Sequence, residues 1–266
     1  MAIRLIASDL DGTLFGPDHV PTPRTVAAMN CARDSGIHLV AVTGRSWFRG
    51  AALATSTGAR LHHFIGSNGG HRVDLATGLL DERLCFDDAT VSSMVRSLSA
   101  AVGPVGFGYE LADGLVWDSR FVELSPISIQ GTPRPVTAPP VDRLAEVGKI
   151  FVIHPLVERV DLVALVEPLV PTEINVTTSG AVFVELTPEG ADKGAAVARL
   201  ATELGIDRSE VVAFGDNQND LSLLRWAGRG IAMGNALDLV KAAADETTAS
   251  NTEHGVARVV EAIVAG

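Results

Sequence analysis

Both ends of this chain repeat one unit: a strand-length apolar run that stops on a cluster of small polar residues, then a segment of helical length. IRLIASD (3–9) runs into DLDGT, IHLVAVTG (37–44) ends on Thr-Gly, and HHFIG precedes SNGG at 67–70. Near the other end, VVAFGD leads into NQND, the helix-sized NDLSLLRWA follows, and GIAM comes next. Apolar runs of this length suit strands buried on both faces. Their alternation with helices predicts a parallel sheet built through crossovers. Between the first two runs, Thr22 is expected to cap a helix that Pro23 opens and Gly36 ends, with Val26, Ala27, Met29 and Ala32 inward. A second helix is expected over 46–57, closing at Gly58.

The middle of the chain keeps a different rhythm. HRVDLATGLLDE reads as two short strands about Ala76-Thr77-Gly78, and 88–102 as a helix with Val91, Met94, Val95, Leu98 and Val102 on one face. GFGYELADGLVWDSRF predicts a hairpin turning at Asp113-Gly114, and 131–140 a Pro-rich loop. KIFVIHP then reads as a strand, 156–170 as a helix, and INVTTSGAVFVELTP as a second hairpin about Ser179-Gly180. From residue 190 the first rhythm returns, with a helix that turns Ala195, Leu200, Ala201 and Leu204 inward and closing helices at 236–245 and about 255–265. The fold class expected is α/β: a Rossmann-like parallel-sheet core at 1–84 and 187–266, with an inserted α+β cap domain at 85–186. Hinges near 81–86 and 186–190 would let that cap close over a site, exclude water during one step and admit it for the next.

Charge narrows the partners. Of 266 residues, 21 are Lys or Arg and 32 Asp or Glu, a net −11 that argues against binding nucleic acid or an anionic membrane. No run approaches the roughly 18 apolar residues of a membrane span, and MAIRLIASDL lacks the layout of a secretory signal, so a cytoplasmic protein is expected. Cys31 and Cys85 have no CxxC partner and are expected to be two buried, inert thiols. His62, His63 and His71 form no i, i+4 pair and read as structural, and Trp47, Trp117, Trp226 and Tyr109 read as packing residues. Trp117 and Arg120, in the cap hairpin, could instead face a substrate.

Three core strands end in chemistry-bearing clusters: Asp9-x-Asp11-Gly12-Thr13, Thr43-Gly44-Arg45, and Gly215-Asp216-Asn217-Gln218-Asn219-Asp220. In a doubly wound sheet the carboxyl ends of the strands border the ligand crevice, so these clusters should meet there. Asp9, Asp11, Asp216 and Asp220 would repel one another and are expected to gather around one cation. Oxygen donors without His or Cys select Mg²⁺. Such a site, with a Thr hydroxyl and Lys193 beside it, suits a dianionic phosphate, with backbone N–H groups around Thr43 and Gly12 facing its equatorial oxygens. One Asp could then attack phosphorus and form an aspartyl-phosphate, while the second, two residues on, protonates the leaving oxygen.

The set DLDGT, TGR, SNGG, ADKG and GDNQND, in this order, resembles the haloacid dehalogenase-type phosphatases, specifically the Cof-like branch whose large α/β cap lies between the second and third motifs. The resemblance implies Asp9 as nucleophile and Asp11 as general acid/base, the latter also binding Mg²⁺ through its backbone carbonyl. It further implies Thr43 as the phosphoryl-holding hydroxyl, Lys193 as the motif lysine, Asp216 as a metal ligand and Asp220 as its support. Asn219 falls at a phosphate-side contact and Asn68 on a loop lining the site; Gly12 and Gly44 complete the phosphate-binding set. The expected enzyme is a Mg²⁺-dependent phosphomonoesterase acting on a small phosphorylated metabolite such as a sugar phosphate, as a monomer or small homo-oligomer. A phosphosugar mutase on the same core and a non-catalytic phosphate sensor stay open. So do a dipole-favouring role for Asp220 at a helix start and a surface pairing of Lys193 with Asp192.

Overall fold

A computed structural model describes residues 2–111, 114–125, 135–136, 146–179 and 182–266. In chain order the first stretch gives β1 (Leu5–Ser8), α1 (Pro23–Asp34), β2 (His38–Val42), α2 (Trp47–Ser56), β3 (His63–Gly66), β4 (His71–Asp74) and β5 (Leu80–Arg83). The middle gives α3 (Asp88–Ala101), β6 (Gly106–Leu111), β7 (Gly114–Asp118), α4 (Ser119–Leu124), β8 (Pro135–Val136), β9 (Lys149–Ile153), α5 (Arg159–Val166), β10 (Asn175–Thr177) and β11 (Val184–Thr187). The last stretch gives α6 (Lys193–Glu203), β12 (Val211–Gly215), α7 (Leu221–Trp226), β13 (Arg229–Ala232), α8 (Asp238–Ala243), β14 (Glu246–Thr247) and α9 (Gly255–Ala265). Two compact units result: Met1–Glu82 with Asp192–Gly266, and Arg83–Ala191. Thr187 Oγ1 donates to the Ala191 carbonyl at 2.6 Å, which folds 188–191 back onto β11.

The first unit carries an eight-stranded sheet in the order β14-β13-β12-β1-β2-β3-β4-β5. Its pairs from β14 to β3 are parallel and β4 runs antiparallel to β3. Leu5, Ile6 and Ala7 are fully buried, as a central parallel strand covered on both faces requires. The register decides where the chemistry goes. Ser8 pairs with Phe214 on one side and Ala41 on the other, so Asp9, Asp216 and Thr43 leave three adjacent strands at nearly one level. From β1 the chain proceeds to β2 on one side, while β12, far later in sequence, occupies the other; this reversal is where doubly wound sheets bind ligands.

The second unit is a six-stranded sheet in the order β10-β11-β9-β6-β7-β8, antiparallel except for β7 with β8. One face packs Phe107, Tyr109, Ile150 and Val152 against Val91, Met94, Leu98 and Leu162 from α3 and α5. On the other, Trp117, Phe121, Phe151 and Ile153 form a separate aromatic cluster, which settles Trp117 as a packing residue. Arg120 is exposed on α4.

Several local expectations are corrected. In α1 the inward residues are Thr25, Ala28, Met29 and Ala32, with Ala27 exposed, because Thr22 caps the helix through Thr25 N–H and so fixes its phase. In α6 Ala196 and Val197 are buried while Ala195 and Leu204 are only partly so. The helix expected over 156–170 spans Arg159–Val166 and passes into a 3₁₀ turn that contains Pro168. Cys31 is exposed on the outer side of α1 and Cys85 half-buried, so the buried pair of thiols does not hold. Within the expected loop at 131–140, Pro135 and Val136 pair with β7; the rest of that loop, Asp113 and Gly180 lie outside the described residues.

His38, His62 and His63 meet at the amino-terminal ends of β2 and β3. His38 Nε2 lies 2.9 Å from His63 Nδ1, the His62 ring stacks on His38 at 4.1 Å, and Leu39 N–H donates to His62 Nδ1 at 3.0 Å. Burial holds His38 and His62 down at about 4, reinforced by neighbouring imidazoles and the Arg33 charge. The native state therefore takes up these protons less readily than the unfolded chain, whose histidines titrate near ~6.5. Stability should be complete above about pH 6.5 and fall progressively towards pH 4. Thermal melts across that range check this, and a His62→Asn variant, whose amide can still accept from Leu39, should show a shallower slope. Equal slopes in the two proteins would remove the cluster as the cause.

Candidate active site

Asp9 follows β1 directly, and its N–H still donates to Phe214 O at 3.0 Å, so the sheet holds the residue in place. Its carboxylate is buried, and Oδ1 accepts from Lys193 Nζ at 2.6 Å. The same ammonium donates to Asp220 Oδ1 at 2.5 Å. Lys193 is the first residue of α6, where a cation opposes the helix dipole. Asp192 does not form a surface pair with it; the Asp192 side chain caps the helix through Ala195 N–H, and Lys193 turns inward with no exposed side chain. Two carboxylates hold the lysine there, and they raise its pKa against the opposing effect of burial.

Asp220 holds both Lys193 and the turn that follows β12. Its Oδ2 accepts from the N–H groups of Asp216 and Asn217, each at 2.9 Å, closing a capping box with Asn217, while Oδ1 takes Lys193. Asp216 follows β12 and accepts from Thr13 Oγ1 at 2.7 Å, so the hydroxyl of DLDGT serves the acid at the far end of the chain. Gly12, at φ +82°, passes so close that a Cβ would lie 2.4 Å from Asp216 Oδ2. Its carbonyl accepts from Asn235 Nδ2 at 2.8 Å.

One carboxylate oxygen from each of Asp9, Asp216 and Asp220 lies within 4.8 Å of the others. Burial raises the Asp9 pKa well above the usual range, with the Asp220 and Asp216 charges adding to it against Lys193. Burial and Asp220 push Asp216 up to about 6. Three acids stand around one lysine, and burial together with their mutual repulsion makes two of them harder to ionise. A hard divalent cation fits that donor set and that deficit.

The expected gathering of four acids is corrected to three. Asp11 turns its carboxylate onto Arg45, which donates from Nε to Oδ2 and from Nη2 to Oδ1, both at 2.6 Å, with His19 Nδ1 2.9 Å from Oδ1. Burial alone would raise this acid, but the Arg45 fork and His19 outweigh it and hold its pKa below the ordinary carboxylate value. Thr43 is buried, and its N–H donates to Ile65 O at 2.9 Å. The Thr43 hydroxyl accepts from Arg45 N–H at 3.2 Å. Asn219 Nδ2 donates to Asn68 Oδ1 at 3.0 Å, and both are buried, Asn68 in the left-handed region at φ 56°. Gly69 beside it carries φ +104° and passes where a Cβ would lie 2.4 Å from the Asp192 carbonyl, joining the SNGG turn to the start of α6. Sequence reasoning assigned no role to His19, Thr13 or Arg45, although the last two stand inside quoted motifs.

Residues 6–260 match the family model described as haloacid dehalogenase-like hydrolase. The chain belongs to that family. A putative phosphatase of Bacillus subtilis, YxeH, is 30% identical, with 98% of each chain covered. A 5-amino-6-(5-phospho-D-ribitylamino)uracil phosphatase of the same organism, YcsE, is also 30% identical, covering 97% of this chain and 94% of its own. Among solved structures, a haloacid dehalogenase-like hydrolase from B. subtilis superposes with a TM-score of 0.83 at 25% identity, covering 97% and 99%. The α/β core, the separate antiparallel unit and the hydrolase class expected from the motifs thus hold for this family member. No described helix is long and apolar enough to cross a membrane.

Proposed function

We propose that this hydrolase is a Mg²⁺-dependent, cytoplasmic phosphatase that cleaves a small phosphorylated metabolite, sugar phosphates included, through an aspartyl-phosphate on Asp9. The observation that carries the reading is the buried Lys193 bridging Asp9 and Asp220 beside Asp216, at the ends of adjacent strands. Lys193 fixes the Asp9 carboxylate and offsets its repulsion of an incoming phosphate. Asp9 attacks phosphorus; the Asp9 O–P bond forms as the bond to the leaving oxygen breaks, and Asp11, which takes up a solvent proton as the phosphate dianion binds beside it, passes that proton to the leaving oxygen. In the second step water attacks phosphorus, Asp11 takes the water proton, and the Asp9 carboxylate is released. The Thr43 hydroxyl, the Gly12 and Gly44 backbone, Asn219 and Asn68 hold the phosphoryl oxygens. Asp9, Asp216 and the Asp11 carbonyl, supported by Asp220, would hold Mg²⁺, which when bound supplies positive charge against the phosphoryl group.

A panel of phosphorylated metabolites, assayed for inorganic phosphate with Mg²⁺ and with EDTA, tests this. Release from at least one phosphomonoester should fall to background in EDTA. Release indifferent to EDTA would overturn the metal assignment. Interconversion of hexose 1- and 6-phosphates without net release would make the protein a mutase.

A further inference from the structure

Arg45 is the residue of the TGR cluster that the reaction just described leaves without a task, yet its surroundings are built around it. Its N–H donates to the Thr43 hydroxyl at 3.2 Å, and its carbonyl accepts from Ser67 N–H at 2.8 Å. Two glycines make room for the Phe64 ring and for Arg45 beside it: a Cβ on Gly66 would come within 2.6 Å of the ring and 2.9 Å of the Arg45 carbonyl oxygen, and one on Gly50 within 2.3 Å of the ring and 3.2 Å of the Arg45 Cβ. The guanidinium therefore leaves from an anchored main chain. Its Nε and Nη2 meet both oxygens of Asp11 at 2.6 Å in a two-point fork, which fixes the direction and the twist of a carboxylate as a single-point contact cannot. The backbone on the other side is equally constrained, since Asp11 precedes Gly12, whose carbonyl is held by Asn235.

We infer that Arg45 is the positioning residue of Asp11: it sets where that carboxylate stands, and through it the proton delivered to the leaving oxygen, without itself touching the phosphoryl group. The inference rests on Asp11 being the acid/base of the proposed reaction. It ties the second strand's cluster to the first through one two-point contact. Thr43 and Arg45 then divide that cluster, with the hydroxyl turned to the phosphate and the guanidinium to the acid.

The consequence is selective. A p-nitrophenolate leaves readily without a proton near neutral pH, whereas an alkoxide does not, so misplacing the acid should harm alkyl phosphates far more than p-nitrophenyl phosphate. kcat/KM covers the steps up to departure of the alcohol and is the quantity to compare. In Asp11→Asn the alkyl-to-aryl ratio of kcat/KM should fall by about 10²-fold or more. Arg45→Met should lower the same ratio by at least about 10-fold, and Arg45→Lys, which restores charge without the fork, should recover only part of it. Circular dichroism and melting temperature confirm that each variant is folded. A ratio unchanged in both Arg45 variants, or fully restored by Lys, would overturn the positioning role while leaving Asp11 in place. A ratio unchanged in Asp11→Asn would overturn the acid assignment itself, and the inference with it.

Discussion

Replacing Asp9 by Asn should abolish turnover of p-nitrophenyl phosphate, a loss of ~10⁵-fold or more, in the range seen when a covalent nucleophile is removed. The amide has the same shape and can still accept from Lys193 through its oxygen, but it cannot attack phosphorus. The fold should survive, and the reason lies in the sign of the pKa shift. Burial raises the Asp9 pKa above its unfolded value, so the native state disfavours the carboxylate and loses stability as pH rises through the folded pKa. At neutral pH, without metal, Asn removes that cost while Lys193 keeps its contact with Asp220, and the variant should melt close to the wild-type temperature. Metal separates the two proteins further. At ten times its dissociation constant a cation stabilises the native state by about 1.4 kcal/mol, worth roughly 3–5 °C for a chain of this size. That increment should appear in the wild type with Mg²⁺ and shrink in Asp9→Asn. Full activity in the variant would remove Asp9 as nucleophile; an unchanged Mg²⁺ increment would remove it as a ligand.

What could be read from the chain, and what could not, divides along a physical line. The end of β1 was legible because a buried strand that stops on DLDGT has few places to go in a parallel sheet, and the register then brings Asp9, Thr43 and Asp216 together. Lys193 was legible as a motif but not as an energetic fact: a cation at the start of α6 is solvated in most helices, and only Asp9 and Asp220 reaching it from other elements turn it inward. The Asp11–Arg45 fork spans 34 positions between two loops, and neither loop carries a local signal that its side chain points at the other. Motif reading therefore counted four acids in one place where the fold assembles three. The phases of α1 and α6 slipped by about one residue for a milder reason, since Ala occupies inner and outer positions with nearly equal ease and gives a weak periodicity.

Lys193→Met should produce the largest combined effect on this protein, because it removes the one cation, among the described residues, bonded to both the Asp9 and Asp220 carboxylates. The side chain has no exposed surface and spans contacts of 2.6 and 2.5 Å. Breaking a buried ion pair by deleting one partner typically costs 3–5 kcal/mol, since the surviving charge stays desolvated. The melting temperature should fall by roughly 6–20 °C in EDTA, and phosphate release should disappear. Two further measurements separate charge from packing. Mg²⁺ should return part of the lost stability to Lys193→Met, as it places positive charge beside the orphaned Asp9. Adding Asp220→Asn should then cost less in the Lys193→Met background than in the wild type, because it removes an uncompensated charge rather than a partner. If the two substitutions prove additive, and Mg²⁺ stabilises Lys193→Met no more than the wild type, Lys193 holds its place by packing, and the charge balance argued for Asp9 fails with it.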